Sequence, residues 1–169
     1  MEAYEAILTR RSIRQYTDQL VPAEAIRRLL TAAMHAPSAG NQQPWQFVVL
    51  TDRSMLNALA EALPYGTMLR QAPLAIVVCG DLRMETSKGY WVQDCSAATQ
   101  NLLLAAHAMG LGAVWLGVYP DEGRVGALST LLSLPRGLVP LSAISIGHPA
   151  EQPLQVDRYQ EERVHHSRW

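Results

Sequence analysis

Apolar residues along the chain follow two different periods. A period of three to four residues predicts helices over residues 1–9, 22–35, 54–63, 90–110 and 125–132. Short apolar runs rich in β-branched residues predict strands over residues 46–51, 74–79, 113–119 and 141–146. Two helices precede the first strand, and no Gly-x-Gly-x-x-Gly follows any strand, so a doubly wound dinucleotide-binding fold is not expected.

Polar stretches interrupt this pattern at three places. Residues 80–89 predict a surface loop, whereas residues 37–45 form a loop without charge but dense in amide and hydroxyl groups. Residues 150–169 are polar, charged and without period, which is unusual inside a compact domain. We therefore expect a single domain over residues 1–169, with 150–169 as an extended C-terminal tail that wraps over something such as a partner subunit.

Composition restricts the class of protein. The 169 residues are 49% hydrophobic and 17% charged, which is typical of a folded chain. A formal net charge of −1 gives no electrostatic case for binding nucleic acid or an anionic membrane surface. The apolar runs are too short to span a bilayer and no signal peptide is visible. Cys79 and Cys95 lack metal-ligand spacing, so we expect no metal and a reduced, cytoplasmic setting.

Basic residues cluster near the N-terminus despite the nearly neutral charge. Arg10, Arg11 and Arg14 lie with Ser12 within five residues. A guanidinium group can bind a phosphate through two parallel hydrogen bonds. The cluster is either a solvated helix end or a binding site for an anion, and both interpretations are open at this point.

Two further candidate side chains lie near the start of the long helix predicted over residues 90–110. Asp94 is expected to complement the dipole at the start of that helix. Trp91 either stacks near a substrate or covers a contact between subunits. The adjacent His165 and His166 do not share a face in a helix or a strand, so they do not predict a metal site.

Several motifs together resemble the nitroreductase family of FMN-dependent oxidoreductases. They are Arg-Arg-Ser-Ile-Arg-Gln-Tyr at 10–16, the segments 36–47 and 105–117, Ile-Gly-His-Pro at 146–149, and Arg-Val-His at 163–165 before a terminal Trp. The resemblance covers nearly the whole chain. It implies an α+β fold with a central, mostly antiparallel sheet flanked by helices, and an obligate homodimer with two FMN sites at its interface.

The resemblance also implies which residues contact FMN. Those expected at the phosphate, ribityl chain and pyrimidine edge are Arg10, Arg11, Ser12 and Arg14, with Arg163 closing on the phosphate. Those expected to reach the flavin from the other subunit are Pro37, Ser38, Ala39 and Asn41. Leu116 and Gly117 are expected beside the isoalloxazine ring. No counterpart is found in residues 65–69 for the polar or basic groups of larger relatives that touch the pyrimidine.

The activity implied by the resemblance is hydride transfer from NADH or NADPH to flavin N5. Electrons would then pass to a nitroaromatic, a quinone or a similar small acceptor in a ping-pong mechanism. No catalytic side chain is expected, since the cofactor carries the chemistry, with Arg14 and the backbone of Gly117 supplying electrostatics and a contact to N5. The alternatives are a flavin-binding or sequestering module without turnover, and a reductive dehalogenase or flavin-cleaving member of the same superfamily.

Overall fold

The computed structural model describes residues 1–169 and contains five α-helices and four β-strands. The helices are α1 (Ala3–Thr9), α2 (Ala23–Met34), α3 (Arg53–Ala62), α4 (Trp91–Ala108) and α5 (Glu122–Leu131). The strands are β1 (Trp45–Leu50), β2 (Leu74–Asp81), β3 (Gly112–Gly117) and β4 (Leu138–Gly147). The predicted α+β class and the order of its elements are confirmed.

A single four-stranded sheet lies at the centre of the molecule. The strands follow the order β1-β2-β4-β3, and every neighbouring pair is antiparallel. β2 is buried along its whole length, which explains why its sequence is continuously apolar rather than alternating. β1 and β3 are the two edge strands, each with one neighbour in the sheet.

Helices cover both faces of the sheet. One apolar core contains Leu56 and Leu59 of α3 and Leu128 of α5. The other contains Leu29 of α2 and a row of α4 side chains that includes Leu102. The side chains of β2 alternate between these two cores, as their period of two requires.

Trp91 belongs to the second core. Its indole packs against Gly80 near the end of β2 and leaves no room for a Cβ at that position. Its ring also makes an edge contact with Tyr119, with 4.8 Å between ring centroids. Within the chain, Trp91 is therefore a packing residue, and its possible contact with another subunit stays a prediction.

The largest differences from the predicted boundaries, three residues each, are at the starts of β4 and α5. β4 begins at Leu138, three residues earlier than expected, although Pro140 lacks an N–H for the ladder. The strand tolerates this proline because Pro140 lies beside the register shift between Val78 and Cys79 of β2. α5 begins earlier than expected because the Asp121 carboxylate accepts the backbone N–H of Arg124 at 2.9 Å and caps the helix.

The last twenty residues run over the surface without regular structure, apart from a short 3-10 turn at Glu161–Arg163. Leu154 and Trp169 are almost fully exposed although they are apolar. The wrapping of this tail around a second subunit stays a prediction. None of the helices combines the length and the apolar character needed to cross a membrane.

Candidate functional site

The arginine-rich segment lies along the outer edge of β3. Ser12 forms a parallel bridge with Ala113, whose carbonyl oxygen accepts the N–H of Ile13 at 3.1 Å. Ile13 is buried against Gly112, where an added Cβ would lie 2.6 Å from the Ile13 side chain. The Tyr16 hydroxyl, whose pKa is raised by burial, lies 2.6 Å from the Ile13 carbonyl oxygen. The segment is thus fixed in place by packing.

Arg10 is a half-buried cation without a counterion. It forms none of the ion pairs in the chain, which involve Arg70, Arg83 and Arg124. Burial, followed by the neighbouring guanidinium groups of Arg158 and Arg11, lowers the pKa of Arg10. Adjacent positive charges without a carboxylate favour an anion as their ligand.

Arg158 was not among the residues predicted from the sequence. It lies in the aperiodic tail, where no spacing or pattern distinguishes it from the other charged residues. Its electrostatic effect on Arg10, which is almost 150 positions away in the chain, places it at the same cluster. The predicted tail residue Arg163 is exposed and forms no ion pair, and its contact with a phosphate stays a prediction.

Arg11 fastens the tail to the body of the molecule. Its guanidinium group donates to the carbonyl oxygens of Leu154 at 3.2 Å and Val156 at 3.4 Å. It also donates to the carbonyl oxygen of Leu8 at 2.8 Å. These bonds turn Arg11 toward the tail, so nothing in its placement supports the expected cofactor contact, which stays a prediction.

A cavity of about 250 Å³ lies where β3 ends. It brings together three of the predicted residues, Arg14, Leu116 and Gly117, and adds Tyr65 and Arg124, which the sequence analysis did not single out as site residues. The Arg14 side chain is exposed and forms no ion pair. The cavity therefore combines an unpaired cation with the backbone of an edge strand.

The backbone of β3 is open toward this cavity. Hydrogen-bonding direction alternates along an antiparallel strand, and the Ala113 carbonyl points away from β4 toward Ile13. By the same alternation the N–H groups of Trp115 and Gly117 point outward. Gly117 is exposed, and an added Cβ there would meet no atom of the chain within 4 Å. A flat ligand can therefore approach the backbone closely at this glycine.

The uncharged polar loop is held rigidly by α4. The buried carboxylate of Asp94 accepts the N–H of Ala39 at 2.9 Å and the Nε2 amide of Gln42 at 2.7 Å. Asn41 and Gln43 have positive φ values of 55° and 47°, a conformation that non-glycine residues adopt only when their surroundings fix it. Asp94 thus holds this loop in addition to its expected position in the first turn of the helix.

The predicted site residues fall into two groups on opposite edges of the sheet. The loop with Pro37, Ser38, Ala39 and Asn41 leads into β1, whereas the segment 10–14 lies beside β3. Three strand spacings separate these edges, which amounts to about 14 Å. One chain therefore does not bring the two groups together.

The family of this chain is identified by its similarity to known proteins. The model of the Nitroreductase family matches residues 7–66 and 57–148. The chain belongs to the nitroreductase family. The segments that carry the match include the arginine-rich segment, the polar loop and the end of β3, so the family assignment and the candidate site rest on the same residues.

Several proteins are similar to this chain over most of their own length. A protein of Methanothermobacter thermautotrophicus named "Putative NADH dehydrogenase/NAD(P)H nitroreductase" is 51% identical, over 100% of this chain and 88% of its own. A crystal structure with the same printed name from Parabacteroides distasonis has a TM-score of 0.95 at 44% identity, covering 99% of this chain and 98% of the other. A crystal structure from Desulfovibrio desulfuricans named "putative nitroreductase in complex with fmn" has a TM-score of 0.87 at 38% identity, covering 100% of this chain and 98% of the other.

Proposed function

We propose that this chain is an FMN-dependent oxidoreductase that uses NADH or NADPH as reductant. The observation that carries the proposal is the cavity that Arg14 and the open backbone edge at Gly117 line together, with the unpaired Arg10 farther along the same edge. The printed names of similar proteins, "Putative NADH dehydrogenase/NAD(P)H nitroreductase" and "putative nitroreductase in complex with fmn", support the same cofactor and reductant.

The phosphate of FMN would be held at the arginine cluster. Arg10 and Arg158 would supply charge-assisted hydrogen bonds, and the Ser12 hydroxyl would supply one more. A phosphomonoester carries roughly −1.5 to −2 charges at neutral pH, which two guanidinium groups can neutralise. Burial lowers the pKa of Arg10 most, and repulsion from Arg158 lowers it further, so a bound anion would relieve part of this effect.

The ring would lie against the end of β3. When bound, FMN supplies a site at N5 that accepts a hydride and gives it up again. The N–H of Gly117 would donate to N5 and so fix the height and tilt of the ring. The Arg14 cation at the pyrimidine edge would stabilise the negative charge that reduction adds there, as an oxyanion hole stabilises developing charge.

The proposed functional unit is a homodimer. The single-chain cavity of about 250 Å³ lies below the roughly 300–1,000 Å³ typical of ligand pockets. A second copy would complete it with the loop that contains Pro37, Ser38, Ala39 and Asn41. In this proposal residues 1–169 form one flavin-binding domain, and the tail 150–169 passes over the partner subunit.

The reaction would proceed by a ping-pong mechanism with a small electron acceptor. A ring held against the strand on one side offers its other face to one reactant at a time. NADH or NADPH would therefore leave before a nitroaromatic, a quinone or a related acceptor enters.

Colour tests the proposal directly. The purified protein should be yellow with bound flavin, and NADH or NADPH added without oxygen should bleach it. Colour without bleaching would instead favour a flavin-binding module without turnover, and no colour after addition of FMN would reject both functions. Initial rates against an acceptor panel should give parallel double-reciprocal lines, whereas intersecting lines would contradict the ping-pong order.

A further inference from the structure

We propose that Arg124 is a second cationic residue of the flavin site, acting beside Arg14 at the end of the ring that gains negative charge. This inference rests on the proposed FMN site but adds a residue that neither the sequence motifs nor the family assignment indicates. Arg124 lies in the first turn of α5, and its side chain lines the same cavity as Arg14 and Gly117.

Three contacts from different elements fix the Arg124 guanidinium group. Its Nη1 donates to the carbonyl oxygen of Gly117 at 3.0 Å, at the end of β3. Its Nε lies 3.6 Å from the carboxylate of Asp121, the residue that caps α5. Its Cζ lies 5.9 Å from the centre of the Tyr65 ring, in the connection before β2. A planar group restrained in this way loses little freedom when it binds a ligand.

The guanidinium group retains donors that the chain does not use. Arginine has five N–H donors, and the contacts to Gly117 and Asp121 engage two of them. The remaining donors belong to a side chain that is 29% exposed and lines the cavity. Arg124 can therefore contact a ligand in the cavity without giving up the contacts that hold it.

The local charge balance favours an electron-rich ligand. Arg14 and Arg124 line one small cavity, and the only carboxylate paired with either guanidinium group is Asp121, which is half exposed. The Glu151 carboxylate accepts the backbone N–H of Arg14 but does not line the cavity. Net positive charge at the ring edge should favour the reduced form of the flavin over the oxidised form. We expect the loss of one of these two cations to reduce that preference about tenfold, which is about 30 mV for a two-electron couple.

The midpoint potential of bound FMN measures this preference, and activity need not be assayed. Arg124→Gln should lower the midpoint potential by about 30 mV, which corresponds to a tenfold loss of the preference for reduced FMN. Arg124→Lys, which keeps the charge, should retain most of the wild-type potential. Arg136→Gln is the matched control, because Arg136 is exposed beyond the other end of α5 and the change in net charge is the same.

A second variant changes the local charge in the opposite direction, because it removes a negative charge instead of a positive one. Asp121→Asn keeps a side chain that can cap α5 but removes the counterion of Arg124. The potential should then rise. This measurement remains informative if Arg124→Gln fails to fold.

The outcomes separate the two proposals. If the wild-type protein binds FMN and neither Arg124→Gln nor Asp121→Asn differs in potential from Arg136→Gln, the role of Arg124 is wrong and the FMN site stands. If the wild-type protein does not bind FMN, the proposed function itself fails. Opposite shifts for Arg124→Gln and Asp121→Asn would support the inference, since a loss of local packing would not produce them.

Discussion

The arginines of this chain differ most in what neutralises them. Asp81 binds Arg83 through two hydrogen bonds of 2.8 and 2.7 Å, a pair that joins the end of β2 to the turn that follows. Arg10 and Arg158, in contrast, form no ion pair, and burial together with the charge of Arg158 lowers the pKa of Arg10. Since surface arginines are common, the absence of a partner at a half-buried arginine is the more informative observation.

Replacing Arg10 should weaken FMN binding. The loss of a charge-assisted hydrogen bond corresponds to about 1.5–3 kcal/mol, so Arg10→Ala should raise the dissociation constant roughly 10- to 100-fold. Quenching of free FMN fluorescence during titration measures the affinity. Arg27→Ala, on the exposed face of α2, is the control and should leave the affinity unchanged. Equal affinities for the two variants would contradict the assignment of Arg10.

The two cysteines should be inert at neutral pH. Burial raises the pKa of Cys79 and of Cys95 to about 12. A thiol reagent at pH 8 should therefore label neither residue until the protein is unfolded. Fast labelling of the native protein would show that the sheet opens at β2 or that the thiols are accessible.

The same thiols should make stability depend on pH in the alkaline range. A thiol in the unfolded chain ionises near pH 8.5, whereas the folded thiols hold their protons until about pH 12. The unfolded state therefore binds fewer protons between these values, and the free energy of unfolding should fall as the pH rises through that window. Urea unfolding of Cys95→Ala should show a weaker decline than that of the wild-type protein.

At the scale of elements, β3 positions the candidate site. Its first residue lies against Ile13, which holds the arginine-rich segment, and its last residue opens onto the cavity. The strand has one sheet neighbour, so its outer edge is available both to that segment and to a ligand. Changes at the first glycine of β3 should consequently affect the site without touching a ligand.

Gly112→Ala tests this role of β3. The new Cβ would lie 2.6 Å from Ile13, so the segment must shift, and overpacking of this kind costs about 1–3 kcal/mol. Both the melting temperature and the affinity for FMN should fall. The control is Gly126→Ala in α5, where a Cβ meets nothing and helix propensity should raise stability by about 0.5–1 kcal/mol. A stable Gly112→Ala variant with unchanged affinity would exclude this coupling.

Most of the elements could be predicted from the sequence, because each has a local signal. Periodicity identifies α2, and a continuous apolar run identifies β2. Asp121 is a local signal for the start of α5, because its carboxylate caps that helix. The early start of β4 could not be predicted, since a proline within a strand is tolerated only through a register shift in the neighbouring strand.

The candidate site was predicted only in part. The resemblance selected Arg14 and Gly117, which the structure brings to one cavity. Arg158 carries no signal of its own, because its neighbour Arg10 is distant in the chain. Asp94 was expected only at the start of its helix, since Ala39 and Gln42, which it binds, are distant in the chain. Arg124 contacts nearby residues, but the cavity that it lines also takes Arg14 and Tyr65 from distant segments. Such contacts depend on how the elements pack, and a single sequence does not encode that in any local pattern.

At the scale of the whole molecule, the candidate site is divided between two edges of the sheet. Under the proposed assembly, each flavin takes its arginine cluster from one subunit and its polar loop from the other. A defect in one group can therefore be compensated by a subunit that carries a defect in the other group.

Mixed dimers test this division. Arg10→Ala and Asn41→Leu homodimers should each bind FMN poorly. A heterodimer of the two variants places both changes in one site and leaves the other intact, so it should bind about one FMN per dimer. Flavin absorbance of dimers isolated through two affinity tags gives the stoichiometry. The absence of FMN from the heterodimer would mean that each chain builds its own site.

The position of the polar loop on the β1 edge has a consequence for how the holoprotein behaves at low abundance. If neither polypeptide encloses the coenzyme alone, mass action ties its retention to the encounter of two chains, and dilution should release it even when free FMN is held constant. The flavin absorbance of the protein would then measure how much of it is dimeric. Saturating FMN would in turn stabilise the dimer.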